Sequence, residues 1–162
     1  MKNKAVFLDR DGIINRERGE YTWKKEDFIF VDEIFENLSD LQKRGYLLIV
    51  ISNQGGIAKK LYSPKEFDFI TDFMVKEFQS QGILITDVLF CPHHPDFNGK
   101  CICRKPDSGL FEKALAKFNI DPQLSYMIGD KKRDSTAAEK AGIRSFLAEA
   151  NHSIKNIVSL IR

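Results

Sequence analysis

Five short apolar runs, each cut off by polar residues, constrain most strongly how this chain folds. They are Ala5-Val6-Phe7-Leu8, Tyr46-Leu47-Leu48-Ile49-Val50-Ile51, Val88-Leu89-Phe90, Tyr126-Met127-Ile128 and Ser145-Phe146-Leu147-Ala148. Unbroken apolar runs suit strands covered on both faces of a parallel sheet, whereas a strand with one wet face would alternate. Between the runs lie stripes at helical spacing. Ile34, Leu38 and Leu41 form the first, with Gly45 as its stop. Ser63-Pro64-Lys65-Glu66 is a capping box with proline at the first helical position, ahead of Phe67, Ile70, Met74 and Phe78. Phe111, Leu115 and Phe118 make a third stripe. Asp134 is expected to cap a helix through Ala137, Ala138 and Ala141. Ile154, Ile157, Val158 and Ile161 close the chain. These stripes read as core.

The order, strand then helix five times over, predicts an α/β fold: a doubly wound, mainly parallel, Rossmann-like sheet with helices on both faces. Roughly 35 residues separate the first two runs, room for one crossover helix and too little for a large cap. Residues 1–162 are therefore expected to form a single domain. With 25 Lys plus Arg against 23 Asp plus Glu, no nucleic-acid partner is expected. No run approaches the ~20 apolar residues of a membrane span, and the apolar start is too short for a signal peptide. The expected address is the cytoplasm and the expected state a monomer.

Ligands of such sheets bind beyond the carboxyl ends of the strands. Asp9-Arg10-Asp11-Gly12 follows the first run, Ser52-Asn53-Gln54 the second, and Gly129-Asp130-Lys131 the fourth, with Asp134 close behind; Arg104-Lys105-Pro106 precedes the third main helix. Any one of these is weak alone, since Asp is common in turns. Their joint placement brings carboxylates, a hydroxyl and a lysine to one rim. Asp9 and Asp130 come together only around a cation, and hard oxygen ligands suit Mg²⁺. Asp9 is then the nucleophile toward phosphorus, and Asp11 the acid and later the base. Ser52 and nearby backbone N–H groups hold phosphate oxygens, Asn53 and Gln54 are expected to bind substrate, and Lys105 balances the growing charge.

All three cysteines and two of the three histidines lie between Cys91 and Cys103. A Cys-x-His arm, Cys91 and His93, facing a Cys-x-Cys arm, Cys101 and Cys103, offers four ligands to a tetrahedral Zn²⁺. His94 is the alternative histidine. In a reducing compartment a disulfide is the poorer explanation. The closed ligand set makes the zinc structural, pinning the loop that leads into Lys105.

The four rim segments resemble the motifs of the haloacid dehalogenase superfamily of phosphohydrolases and span nearly the whole chain. The resemblance implies the roles just given, and adds the backbone carbonyl of Asp11 as a Mg²⁺ ligand. The cysteine loop is similar to that of the superfamily's zinc-loop phosphatases, which act on small phosphorylated sugars, heptose bisphosphates at C7 among them, and on histidinol phosphate. It implies that Arg104 and Lys131 bind substrate phosphate or sugar, and that the loop of Arg16, Glu17, Arg18, Gly19, Glu20 and Tyr21 covers the sugar. Two positions depart from the pattern. Ile13 replaces the usual Thr or Val, and Gly55-Gly56-Ile57-Ala58-Lys59-Lys60 carries Lys-Lys where Arg-Gly is common, a point charge for a planar fork. The competing class is a zinc-stabilised module that binds a phosphorylated ligand without turnover. Asp9, Asp11, Lys105 and Asp130, all present, argue against it.

Overall fold

The structure, a computed structural model, describes residues 1–162. Five parallel strands form one sheet in the order β3-β2-β1-β4-β5: β1 Ala5–Leu8, β2 Leu47–Asn53, β3 Ile85–Cys91, β4 Tyr126–Gly129 and β5 Arg144–Leu147. Six helices accompany it: α1 Ile34–Lys43, α2 Pro64–Ser80, the single turn α3 Pro95–Asn98, α4 Gly109–Lys117, α5 Lys132–Lys140 and α6 Lys155–Leu160. The expected doubly wound sheet is present. Side chains alternate along each strand, so β1 sends Val6 and Leu8 into one core and Ala5 and Phe7 into the other. The first core is closed by Leu38, Leu41, Phe67, Met74 and Val158 of α1, α2 and α6. The second is closed by Phe111, Ala114, Ala137 and Ala138 of α4 and α5, with Phe7 and Phe111 at a ring separation of 5.3 Å.

Several boundaries differ from the sequence expectation. β3 begins at Ile85, ahead of the apolar run, because Thr86 and Asp87 belong to it. It is an edge strand, and polar residues there are tolerated. β5, the other edge, is half exposed rather than covered on both faces. The expected cap Asp134 lies inside α5, three residues after Lys131, and its Oδ2 accepts the Lys131 N–H at 3.0 Å. The capping box at Ser63 and Glu66 forms with both of its hydrogen bonds.

The chain runs outward from β1 through β2 to β3, then returns to the other side of β1 for β4 and β5. β1 therefore sits where the winding reverses, and the carboxyl end of its strand opens into a crevice. Asp9 is the first residue after that end.

Candidate active site

Asp9 extends from β1 into the crevice, and its Oδ1 accepts a hydrogen bond from Lys105 Nζ at 2.9 Å. Lys105 is fully buried and also donates to the Ile51 carbonyl at 2.8 Å and pairs with Asp134 Oδ1 at 2.7 Å. The Asn53 side chain fixes the lysine's backbone, accepting from its N–H at 3.0 Å and donating to its carbonyl at 3.1 Å. Burial works to lower the Lys105 pKa, but Asp9 and Asp134 outweigh it and hold the ammonium above the usual lysine range. Burial raises Asp9 from its ordinary 3.8 to about 7, with Lys105 pulling it down and Asp134 pushing it up.

Oxygen atoms of Asp9, Asp130 and Asp134 lie within 4.8 Å of one another. Lys105 pairs with both Asp9 and Asp134, but both oxygens of Asp130 are buried without a hydrogen-bond partner. Its ion-pair partner, Lys131 Nζ, stands 3.5 Å away. An orphaned buried carboxylate beside two others fits a hard divalent cation. Gly12, at φ +93°, leaves the space that Asp130 fills; a Cβ there would come within 2.7 Å of its Oδ2.

The Asp11 carboxylate stands apart from that trio. Its Oδ1 accepts from Arg10 Nη2 and Asn15 Nδ2, both at 2.9 Å, and its Oδ2 accepts from Gln54 Nε2 at 3.3 Å. Arg10 is itself buried between the rings of Phe28 and Phe67. Asp9, Asp11 and Asp130 share a cavity of about 330 Å³ with Glu17, Gly19, Glu20, Asn53 and Lys131.

The remaining expected residues do not line the cavity. Ser52 and Gln54 are buried beneath the cavity wall and joined to each other at 2.7 Å. Arg16 pairs with Asp32 at 3.5 Å and Arg18 with Asp27 at 3.4 Å, both off the wall. Arg104 turns toward the cysteine loop and donates to the His93 carbonyl at 3.1 Å. In their place Lys59 and Arg133 line the cavity. Neither was expected there. Asp134 was expected at this rim close behind Asp130 and as a helix cap, and the structure brings it beside Asp9 and Lys105. Lys59 lies in the stretch that departs from the superfamily pattern.

The second cluster gathers Cys91, His93, Cys101 and Cys103, whose ligand atoms also lie within 4.8 Å of one another. The sulfur separations are 3.0–3.6 Å, and His93 Nδ1 is 3.3–3.4 Å from two of them. The thiols are free. A tetrahedral zinc with bonds of ~2.3 Å sets sulfurs about 3.8 Å apart, so the cluster needs little expansion to hold one. Burial raises the Cys91 thiol. Burial opposes ionisation at Cys101 too, but the Arg104 N–H and the neighbouring thiols bring it down to about 7. His94 lies outside the cluster, and its Nδ1 accepts the Asp96 N–H at the start of α3.

Sheet, switch point and aspartate rim together define a haloacid-dehalogenase-like hydrolase, and residues 102–153 match the HAD-hydrolase-like family model. The D-glycero-beta-D-manno-heptose-1,7-bisphosphate 7-phosphatase of Haemophilus ducreyi is 42% identical over 90% of this chain and 82% of its own. The D-glycero-alpha-D-manno-heptose-1,7-bisphosphate 7-phosphatase of Campylobacter jejuni is 43% identical over 91% of this chain and 83% of its own. A crystal structure of the D,D-heptose 1,7-bisphosphate phosphatase from B. bronchiseptica, complexed with magnesium and phosphate, superposes with a TM-score of 0.85 at 25% identity, covering 97% of this chain and 86% of its own. The chain belongs to the family of D-glycero-D-manno-heptose-1,7-bisphosphate 7-phosphatases.

Proposed function

We propose that this protein is a magnesium-dependent phosphatase that removes the C7 phosphate of D-glycero-D-manno-heptose 1,7-bisphosphate through an aspartyl-phosphate. One observation carries the reading: Asp9, paired with Lys105, opens into the same cavity as the orphaned carboxylate of Asp130. The Asp9 carboxylate attacks phosphorus, and the bond from phosphorus to the C7 oxygen breaks. Asp11 gives that oxygen its proton. A water molecule then attacks the phosphorus of the acyl phosphate while Asp11 takes its proton, releasing phosphate and restoring Asp9. Lys105 pulls Asp9 back toward its anionic form against burial and offsets charge on the transferring group, and Ser52 and backbone N–H groups beyond β2 hold its oxygens.

Asp9, Asp130 and the Asp11 carbonyl would hold Mg²⁺. When bound, the ion neutralises phosphate charge so that one anion can approach another. Cys91, His93, Cys101 and Cys103 would hold a structural Zn²⁺. Of the residues expected to bind substrate, Glu17, Gly19, Glu20, Asn53 and Lys131 line the cavity and would contact it. No helix is long and apolar enough to cross a membrane. Three free thiols suit the reducing cytoplasm, where we place the protein as a monomer.

The test is phosphate release from the α and β anomers of the heptose bisphosphate and from histidinol phosphate, with Mg²⁺ and with Asp9→Asn in parallel. The reading expects fastest turnover on a heptose anomer and none with the variant. Preference for histidinol phosphate would reassign the substrate. A saturating binding isotherm without phosphate release would make the protein a binding module.

A further inference from the structure

Gln54 is buried and does not line the cavity, yet its amide touches two groups that the proposed reaction needs, a hydroxyl donor and the acid. Its Nε2 donates to Ser52 Oγ at 2.7 Å and to Asp11 Oδ2 at 3.3 Å. Its Oε1 accepts from the Tyr62 hydroxyl. Flipping the amide would set Oε1 against the Asp11 carboxylate, two acceptors face to face. Tyr62 holds the other end: burial raises its phenol far above the usual tyrosine range, so it remains a proton donor. The ring is itself held between Tyr21 and Trp23, at centroid separations of 6.0 and 6.1 Å.

We propose that Gln54, locked by Tyr62, is a positioning residue that turns the Ser52 hydroxyl into a donor toward the transferring phosphoryl group and aims Asp11 at the leaving oxygen. The inference rests on the hydrolase reading above. A serine hydroxyl has one hydrogen and two lone pairs. The Gln54 N–H occupies a lone pair of Ser52, which leaves the hydroxyl hydrogen for a phosphate oxygen. At Asp11, Arg10 and Asn15 both donate to Oδ1. Oδ2 has only the single bond from Gln54, so Oδ2 is the oxygen with capacity for the mobile proton, and the amide sets its direction. One side chain thus fixes the polarity of the phosphate-holding group and the orientation of the acid.

The experiment compares two esters. A sugar phosphate leaves as a poor alkoxide and needs its proton, whereas p-nitrophenyl phosphate leaves without one. Gln54→Leu is expected to lose about 10²-fold in kcat on heptose bisphosphate, about tenfold more than it loses on the aryl ester. Inorganic phosphate should also inhibit the variant more weakly. Tyr62→Phe, which removes one oxygen atom, should show the same bias at smaller size, and it carries the comparison if Gln54→Leu does not fold. Equal fractional losses on the two esters, or no loss in either variant, would overturn the proposal. A wild-type protein that hydrolyses neither ester would instead sink the hydrolase reading.

Discussion

Lys105 Nζ sits 2.9 Å from Asp9 Oδ1 and 2.7 Å from Asp134 Oδ1, so one buried ammonium holds together residues from the end of β1 and the start of α5. Removing it leaves two buried carboxylates with no counter-charge. Lys105→Met is expected to destabilise the fold by about 3–5 kcal/mol and to reduce turnover at least ~10³-fold. Urea unfolding and a phosphate-release assay read the two effects. A variant as stable as the wild type would show that the pair contributes nothing to the fold.

Asp9 gives the folded protein a pH signature in magnesium-free buffer. Its carboxyl titrates at about 7 when folded, against an ordinary 3.8. Across that window the folded state binds the extra proton, so stability falls as pH rises, and the full cost is present above the folded value. Asp9→Asn cannot titrate. Above the folded pKa it should be the more stable protein, by at least ~1 kcal/mol, while turning over no substrate. Parallel stability profiles for the two proteins between pH ~5.5 and 8 would contradict this.

Gly12→Ala acts on Asp130 without touching its charge. The residue has φ +93°, and the new Cβ would lie 2.7 Å from Asp130 Oδ2. Backbone strain costs about 1–2 kcal/mol, and the carboxylate must move. Half-maximal activation is expected to need roughly tenfold more Mg²⁺ or greater, read by titrating the metal at saturating substrate. An unchanged Mg²⁺ requirement would remove Asp130 from the metal site.

Cys103→Ser breaks the second cluster next to the loop that delivers Lys105. The variant should lose its zinc, by metal analysis, and melt at lower temperature. Added Mg²⁺ should not restore its turnover. Retention of one zinc per chain would exclude Cys103 as a ligand.

Local pattern made parts of the site legible. Asp9 follows an apolar run directly, and four soft ligands crowd into one short segment of a cysteine-poor chain, so both clusters could be read from spacing. The directions of other side chains were not legible, for a common reason. Arg104, Gln54 and Arg16 carry side chains suited to phosphate or sugar, and residue type says nothing about which way a side chain points. In the fold Arg104 turns to the His93 carbonyl, Gln54 to Ser52 and Asp11, and Arg16 to Asp32.

By itself, the sequence determined the elements and their order, because hydrophobic periodicity, capping boxes and helix-stopping glycines act over a few neighbouring residues. It also determined which chemical groups stand at strand ends. Tertiary structure decided the rest: that Asp134 caps α5 with one oxygen and meets Lys105 with the other, that Asp130 is left without a donor, and that Lys59 and Arg133 face the cavity. Those outcomes depend on contacts between segments tens of residues apart, and electrostatic partners at such separations are chosen only when the sheet closes around them.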